Sequence, residues 1–244
     1  MINIVIPMAG EGSRFTQAGY LKPKPFIDVN GKPMIVRVLE NLAYPDAHFI
    51  LIARKEHMDA EAAIVAGIEK EFNATFISIE NLTEGTACTV LYARKYINNQ
   101  NPLLIANSDQ LVDIDIVDFI QDCFNRNLDG SILTFIDDSS NPKWSFAKVS
   151  GNGLVTDVQE KKVISEYATV GIYFYKKGCT FVNSAIDMII RRDRVNNEYY
   201  TCPTYNYAIR DSEKIGIYNI EPIAMHGVGT PEDLDDYLIF LSGK

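Results

Sequence analysis

Apolar positions fall into two patterns along the chain, and the change comes near its middle. In the first half, continuous apolar runs of strand length alternate with stretches of helical spacing. The runs are "INIVIPMA", "HFILIAR", "ATFISIE" and "PLLIANSD". Between them, "KPMIVRVLENLAY" sets Ile35, Val38, Leu39 and Leu42 on one helical face. "MDAEAAIVAGIEKEF", "TACTVLYARKYI" and "IVDFIQDCFNRN" read as three further helices. Strands apolar on both faces and separated by helices predict a parallel sheet covered on both sides.

The second half reads differently. "GSILTFID", "FAKVS", "GLVTDVQEK" and "YATVGIYFYKK" are strands with few helical residues between them. "SGNG", Ser150 to Gly153, is a tight hairpin signal. Helices return with "CTFVNSAIDMIIRRD" and "PEDLDDYLIFL", where Pro231 and the acids after it suit a helix start. No repeat, low-complexity segment or linker interrupts the chain. The expectation is one mixed α/β domain over residues 1–244: a doubly wound, mostly parallel sheet with an antiparallel, substrate-binding portion. Residues 1–130 would form a ligand-binding half, with its ligand at the C-terminal ends of the strands, and residues 131–244 a second half that completes the site.

Composition narrows the partners. The 244 residues are 47% hydrophobic, enough for one sizeable core, and the net charge of −9 argues against nucleic acid and anionic membrane. The four cysteines, Cys88, Cys123, Cys179 and Cys202, form no C-x-x-C pair and have no histidine at zinc spacing. They read as reduced thiols of a cytoplasmic protein. Met1 to Ala9 reads as a strand rather than a signal peptide, and no apolar stretch reaches the roughly 18 residues of a membrane span.

The chemistry begins at "PMAGEGSRF", Pro7 to Phe15. Gly10 and Gly12 permit a close backbone approach, and successive N–H groups in such a turn cradle an anion. Phe15 stands where the dinucleotide fingerprint needs its third glycine, and no G-K-[ST] follows to make a Walker A loop. Yet Arg14, Lys22 and Lys24 share one loop, whose lysine segment Pro23 and Pro25 stiffen. In an acidic protein, that concentration of cations points to phosphate. Asp109 ends the fourth apolar run, where a carboxylate faces the ligand crevice of an open α/β sheet. It reads as a Mg²⁺ ligand, since Mg²⁺ is held by one or two carboxylates plus substrate phosphates, although such an acid also caps a turn.

"PMAGEGSRF" followed by "KPKPFIDVNGKPMI" resembles the N-terminal signature of the sugar nucleotidyltransferases, or nucleotide-sugar pyrophosphorylases. "EGTACTV", "NSDQ", "VQEKK", "TVGIYFY" and "GTPEDL" extend the resemblance along the whole chain, in the family's order. The resemblance implies a Rossmann-like nucleotidyltransferase fold. It implies nucleotide contacts at Met8, Ala9, Gly10, Glu11, Gly12, Ser13, Arg14, Lys24, Glu84, Gly85, Thr86, Asn107 and Ser108, with Gly85 letting a base lie against backbone. Acceptor contacts fall on Ala147, Glu160, Lys161, Thr169, Gly171 and Glu198. Arg14, Lys24 and Asp109 become the catalytic residues, with Asp109 holding Mg²⁺. The chain departs from the family at Gly227, which stands where many relatives carry a second metal-binding aspartate; His226 and Asp233 are candidate substitutes. A subgroup tied to capsule and surface-glycan clusters shares that glycine.

The implied reaction joins an NTP to a sugar phosphate or similar phosphorylated acceptor, giving an NDP-linked product and pyrophosphate. Two other readings stay open. One is a metal-dependent glycosyltransferase of related architecture, for which Asp113-Ile114-Asp115 offers a D-x-D. The other is a non-catalytic nucleotide-binding subunit. The base, the acceptor and the pathway are not legible, and a homo-oligomer is compatible with everything above.

Overall fold

The computed structural model describes residues 1–139 and 141–243. The elements run β1 (Ile2–Pro7), α1 (Ser13–Gln17), β2 (Asp28–Val29), β3 (Lys32–Pro33), α2 (Met34–Asn41), β4 (Ala47–Arg54), α3 (Lys55–Ala60), α4 (Ala62–Glu71) and β5 (Ala74–Ile79). Then come α5 (Thr86–Leu91), α6 (Arg94–Ile97), β6 (Leu103–Ala106), β7 (Gln110–Val112), α7 (Ile116–Asn125), β8 (Gly130–Ile136), β9 (Ser145–Val149) and β10 (Val155–Glu160). The last are β11 (Tyr167–Tyr175), α8 (Gly178–Ile190), α9 (Thr204–Arg210), β12 (Ile215–Ile220), β13 (Met225–Gly227) and α10 (Pro231–Ser242).

One nine-stranded sheet takes strands from both halves of the chain. Its main line is β5-β4-β1-β6-β11-β8-β12. The pairs β5-β4, β4-β1, β1-β6 and β8-β12 are parallel, so β11 alone runs against its neighbours there. The apolar runs of the first half become β1, β4, β5 and β6, and β6 is buried along its whole length. Helices cover both faces, as a doubly wound sheet requires. One core layer holds Ile4, Phe26, Leu39 and Phe119, and the other Val5, Val90, Phe181 and Tyr205.

The second half is less antiparallel than its sequence suggests. β9 and β10 form the expected hairpin, closed by Gly153 N–H on the Ser150 carbonyl at 2.9 Å. The strands β8 and β12, however, run in the same sense as β1. The run "SILTF" is buried at every position, as a central strand must be. Two predicted helices are each broken in two, at Glu61 and between α5 and α6. The elements α1, α9, β7, β12 and β13 carry too little periodicity to be read from sequence.

The feature that makes the site is a fork. On one edge, β11 pairs with β6 from Ile172 onward, and with β9 at Ala168. Between the two, at Gly171, the register with β8 shifts as well. Gly171 has φ +93°, and a Cβ there would sit 2.2 Å from Asn107 Nδ2. Only glycine accepts both conditions. The Gly171 carbonyl takes the Asn107 N–H at 3.0 Å, just past the end of β6. The sheet therefore opens where Asn107, Ser108 and Asp109 leave it.

Candidate active site

A cavity of about 420 Å³ lies at this opening, between the C-terminal ends of β1 and β6. Met8, Gly10, Gly12, Ser13, Arg14 and Lys24 line it from the first crossover, and Thr86, Asn107, Ser108 and Asp109 from the neighbouring loops. The two glycines do different work. Gly12 has φ +63°, and a Cβ would fall 2.9 Å from Lys24 Cβ, so it packs the loop against the lysine segment. Gly10 has open space above it, so backbone is bared to the cavity. Phe15 is buried at 1% exposure and packs edge-on against Tyr20, with centroids 5.1 Å apart, which anchors the loop.

Lys24 forms an ion pair with Asp109 across the cavity, with side chains only 20% and 26% exposed. Gly229 lies against this pair: a Cβ there would stand 2.8 Å from Asp109 Oδ2. Val228 N–H donates to the Asp109 carbonyl at 2.9 Å. "GVGT" thus supports the carboxylate from below, and Gly229 leaves its oxygens accessible. A divalent cation would find Asp109 here, with its remaining ligands drawn from phosphate and water. That donor set suits Mg²⁺ chemistry. Gly227 adds no ligand, but the Asp233 carboxyl carbon lies 3.9 Å from where its Cβ would be. The His226 Nε2 faces Asp113 Oδ2 at 3.1 Å, and its ring packs on Tyr237 and Phe240. Among the described residues, no group of three or more metal-ligating side chains forms.

A second cavity of about 250 Å³ adjoins the first through Thr86 and Asn107. Glu160, Thr169 and Gly171 line it, joined by Gln110, Trp144, Ser145, Tyr173 and Tyr200. Burial pushes the Glu160 carboxyl up, while the Ser145 hydroxyl that donates to it and the Lys161 ammonium pull it back. Lys161 and Glu198 are outside that lining, both beside Tyr200, which belongs to it.

Several expected contacts fall elsewhere. Ala147 is fully buried in the core, and its carbonyl accepts from Ser165 Oγ at 2.6 Å; it shares a face of β9 with Ser145, which lines the cavity, but is not itself part of the lining. Ala9 is likewise in the core, and Glu11 is exposed beyond the cavity lining. Glu84 points outward to Arg194 at 2.9 Å. Gly85 has to be glycine for the protein's own packing: at φ +119°, a Cβ would lie 2.5 Å from the Tyr199 carbonyl oxygen. Tyr199 N–H donates to the Glu84 carbonyl at 2.7 Å, and Ala87 N–H to the Tyr199 carbonyl at 2.9 Å. This clasp presents Thr86, which accepts from Thr201 N–H at 3.1 Å. The D-x-D reading weakens too, because Asp115 caps α7 at Val117 N–H, 2.9 Å away, and Asp113 faces His226. Gly229, Gln110 and Tyr200 were missed; the first lies in the quoted "GTPEDL" and the last beside Glu198, but neither residue type signals its role.

This fold and cleft define a doubly wound α/β protein whose cations and lone central acid meet at a break in the sheet. The family model for the nucleotidyl transferases matches residues 4–201, and the chain belongs to that family. It is 26% identical over 181 residues to the mannose-1-phosphate guanylyltransferase catalytic subunit beta of Drosophila melanogaster, covering 70% of this chain and 47% of that one. Identity to the bifunctional protein GlmU of Methanococcus aeolicus is 23%, over 96% of this chain and 53% of that one. The chain thus spans about half the length of these curated relatives. A nucleoside-diphosphate-sugar pyrophosphorylase from Vibrio cholerae superposes with a TM-score of 0.81 at 25% identity, covering 97% of this chain and 99% of that one. A UDP-glucose pyrophosphorylase complexed with UDP-glucose has the same fold, with a TM-score of 0.80 at 15% identity and full coverage of both chains. Among the described residues, no helix is long and apolar enough to cross a membrane.

Proposed function

We propose that this protein is a sugar-phosphate nucleotidyltransferase that joins an NTP to a sugar phosphate, or a similar phosphorylated acceptor, releasing pyrophosphate. The observation that carries the reading is the Lys24–Asp109 pair beside Arg14, set in the first cavity, which adjoins the second at Thr86 and Asn107. The relatives support it: their names describe transfer of a nucleotide to, or from, a sugar phosphate. The 1–130 half would take the NTP and the 131–244 half the acceptor. The unpaired cysteines add a cytoplasmic setting, and the resemblance a role in capsule or surface-glycan synthesis.

In this mechanism, an acceptor phosphate oxygen attacks the α-phosphorus, and the bond to the departing pyrophosphate breaks. Both reactants are anionic; two unit charges about 4 Å apart repel by about 4 kcal/mol at an effective dielectric near 20. The protein's task is neutralisation and alignment. Backbone bared at Gly10 and the Arg14 guanidinium hold the β- and γ-phosphates. Lys24 neutralises Asp109 before substrate arrives, then turns to the α-phosphate and the attacking oxygen. Asp109 would hold Mg²⁺, which when bound offsets charge on the transferring group. Thr86, Asn107 and Ser108 border the nucleotide, and Glu160, Thr169 and Gly171 the acceptor, whose phosphate Lys161 fixes.

The test is a matrix of the four common NTPs and dTTP against phosphorylated sugars and polyols, read by pyrophosphate release. The best pair is then assayed with Lys24→Ala, expected to lower kcat about a hundredfold or more, since a preorganised donor of this kind is worth roughly 2.7–4 kcal/mol. Near-normal turnover in that variant overturns the assignment. NDP release from a sugar donor instead would favour a glycosyltransferase.

A further inference from the structure

The proposed acceptor lysine is not free to search for its phosphate. Lys161 follows β10 with φ +53°, a left-handed conformation that is strained for a non-glycine residue. Its N–H is held by the Trp144 carbonyl at 3.0 Å. Its Nζ donates to Tyr200 Oη at 2.7 Å while lying 4.8 Å from the ring centroid. The ammonium therefore sits beside the hydroxyl rather than over the ring face, so the hydrogen bond is the main attraction. Burial raises the Tyr200 hydroxyl above its ordinary pKa; the Lys161 hydrogen bond pulls it back, and the neighbouring Glu198 carboxylate pushes it up. The hydroxyl keeps its proton at neutral pH. It then accepts from Lys161 as a neutral phenol. Tyr200 also lines the second cavity, with Glu160, Thr169 and Tyr173.

We infer that Tyr200 is a positioning residue for the acceptor: its hydroxyl, in the wall of the second cavity, holds the Lys161 ammonium in place for the acceptor phosphate. The inference rests on the acceptor role proposed above for Lys161. Nothing in the family resemblance assigned Tyr200, and the flanking Glu198 alone drew attention in sequence. Strain at Lys161 and restraint at both ends of that residue are what a preorganised contact requires. A lysine left to rotate would lose side-chain entropy on each binding event.

The test compares Tyr200→Phe, Lys161→Met and the double variant, using the NTP and acceptor with the highest pyrophosphate release. Tyr200→Phe keeps the ring and removes the hydroxyl, and thermal unfolding of each variant checks that the fold is intact. The expected result is an acceptor KM raised about fivefold, the worth of a typical hydrogen bond, with the NTP KM within about twofold of wild type. The double variant should be no worse than Lys161→Met alone, because both changes disable one unit. If Lys161→Met raises the acceptor KM but Tyr200→Phe does not, or if the two effects multiply, the positioning role is wrong. If Lys161→Met leaves the acceptor KM unchanged, the acceptor assignment itself falls, and this inference with it.

Discussion

Glu160 sits in a conflict between function and stability. Burial lifts its carboxyl above the ordinary value of 4.5, and Ser145 and Lys161 only partly offset this. A raised acid binds protons more tightly when folded than when unfolded, so its ionisation costs stability as pH rises through the window above 4.5. Lowering the pH from neutral through that window should therefore return stability at this site. Glu160→Gln is expected to remove the penalty, raising Tm at pH 7 while raising the acceptor KM. Thermal unfolding at pH 5 and pH 7, with kinetics on the same samples, checks both. A lower Tm at pH 7 would show that the charge is a net stabiliser. This carboxylate was named from the sequence through "VQEKK", but its burial and its Ser145 partner, 15 positions away, were not.

At the scale of elements, the break in the sheet depends on β11. Gly171 is where its edge passes from β6 to β9, and where Asn107 finds room. Gly171→Ala is expected to cost about 1–2 kcal/mol for the backbone conformation alone, with the displacement of Asn107 in addition. Because Asn107 borders both cavities, the KM values for NTP and acceptor should rise together. Unfolding and steady-state kinetics on the alanine variant measure this; a rise in only one KM would separate Asn107 from the junction. "TVGIYFY" reads as an unbroken strand, and nothing local marks its glycine as the point of transfer. The same limit explains Gly85. Its sequence neighbourhood suggests a bared backbone for a ligand, while Tyr199, 114 positions further on, is what occupies the space.

Across the whole molecule, Tyr205 shows how the second half is held to the sheet. From α9, its buried hydroxyl donates to the Ser131 carbonyl of β8 at 3.1 Å and the Phe174 carbonyl of β11 at 2.9 Å. Its ring stacks on Tyr175, with centroids 4.4 Å apart. Tyr205→Phe strips a partner from two buried carbonyls and should cost about 1–3 kcal/mol. For a chain of this size, that lowers Tm by roughly 2–12 °C. Tyr205 lines neither cavity, so kcat at 25 °C should stay near wild type; calorimetry and the pyrophosphate assay together check this.

The sequence by itself determined the alternation of buried strands and helices, the cation-rich loop after β1 and the acid ending β6. These are local: periodicity, glycine and charge within a few residues declare them. Tertiary structure alone decided that Lys24 meets Asp109, that β8 and β12 run parallel to β1, that Ala147 and Gly85 face protein, and that Tyr200 holds Lys161. Each of these depends on segments far apart in the chain meeting across the sheet. Pairing of that kind is settled by packing and register, which no short window of residues contains.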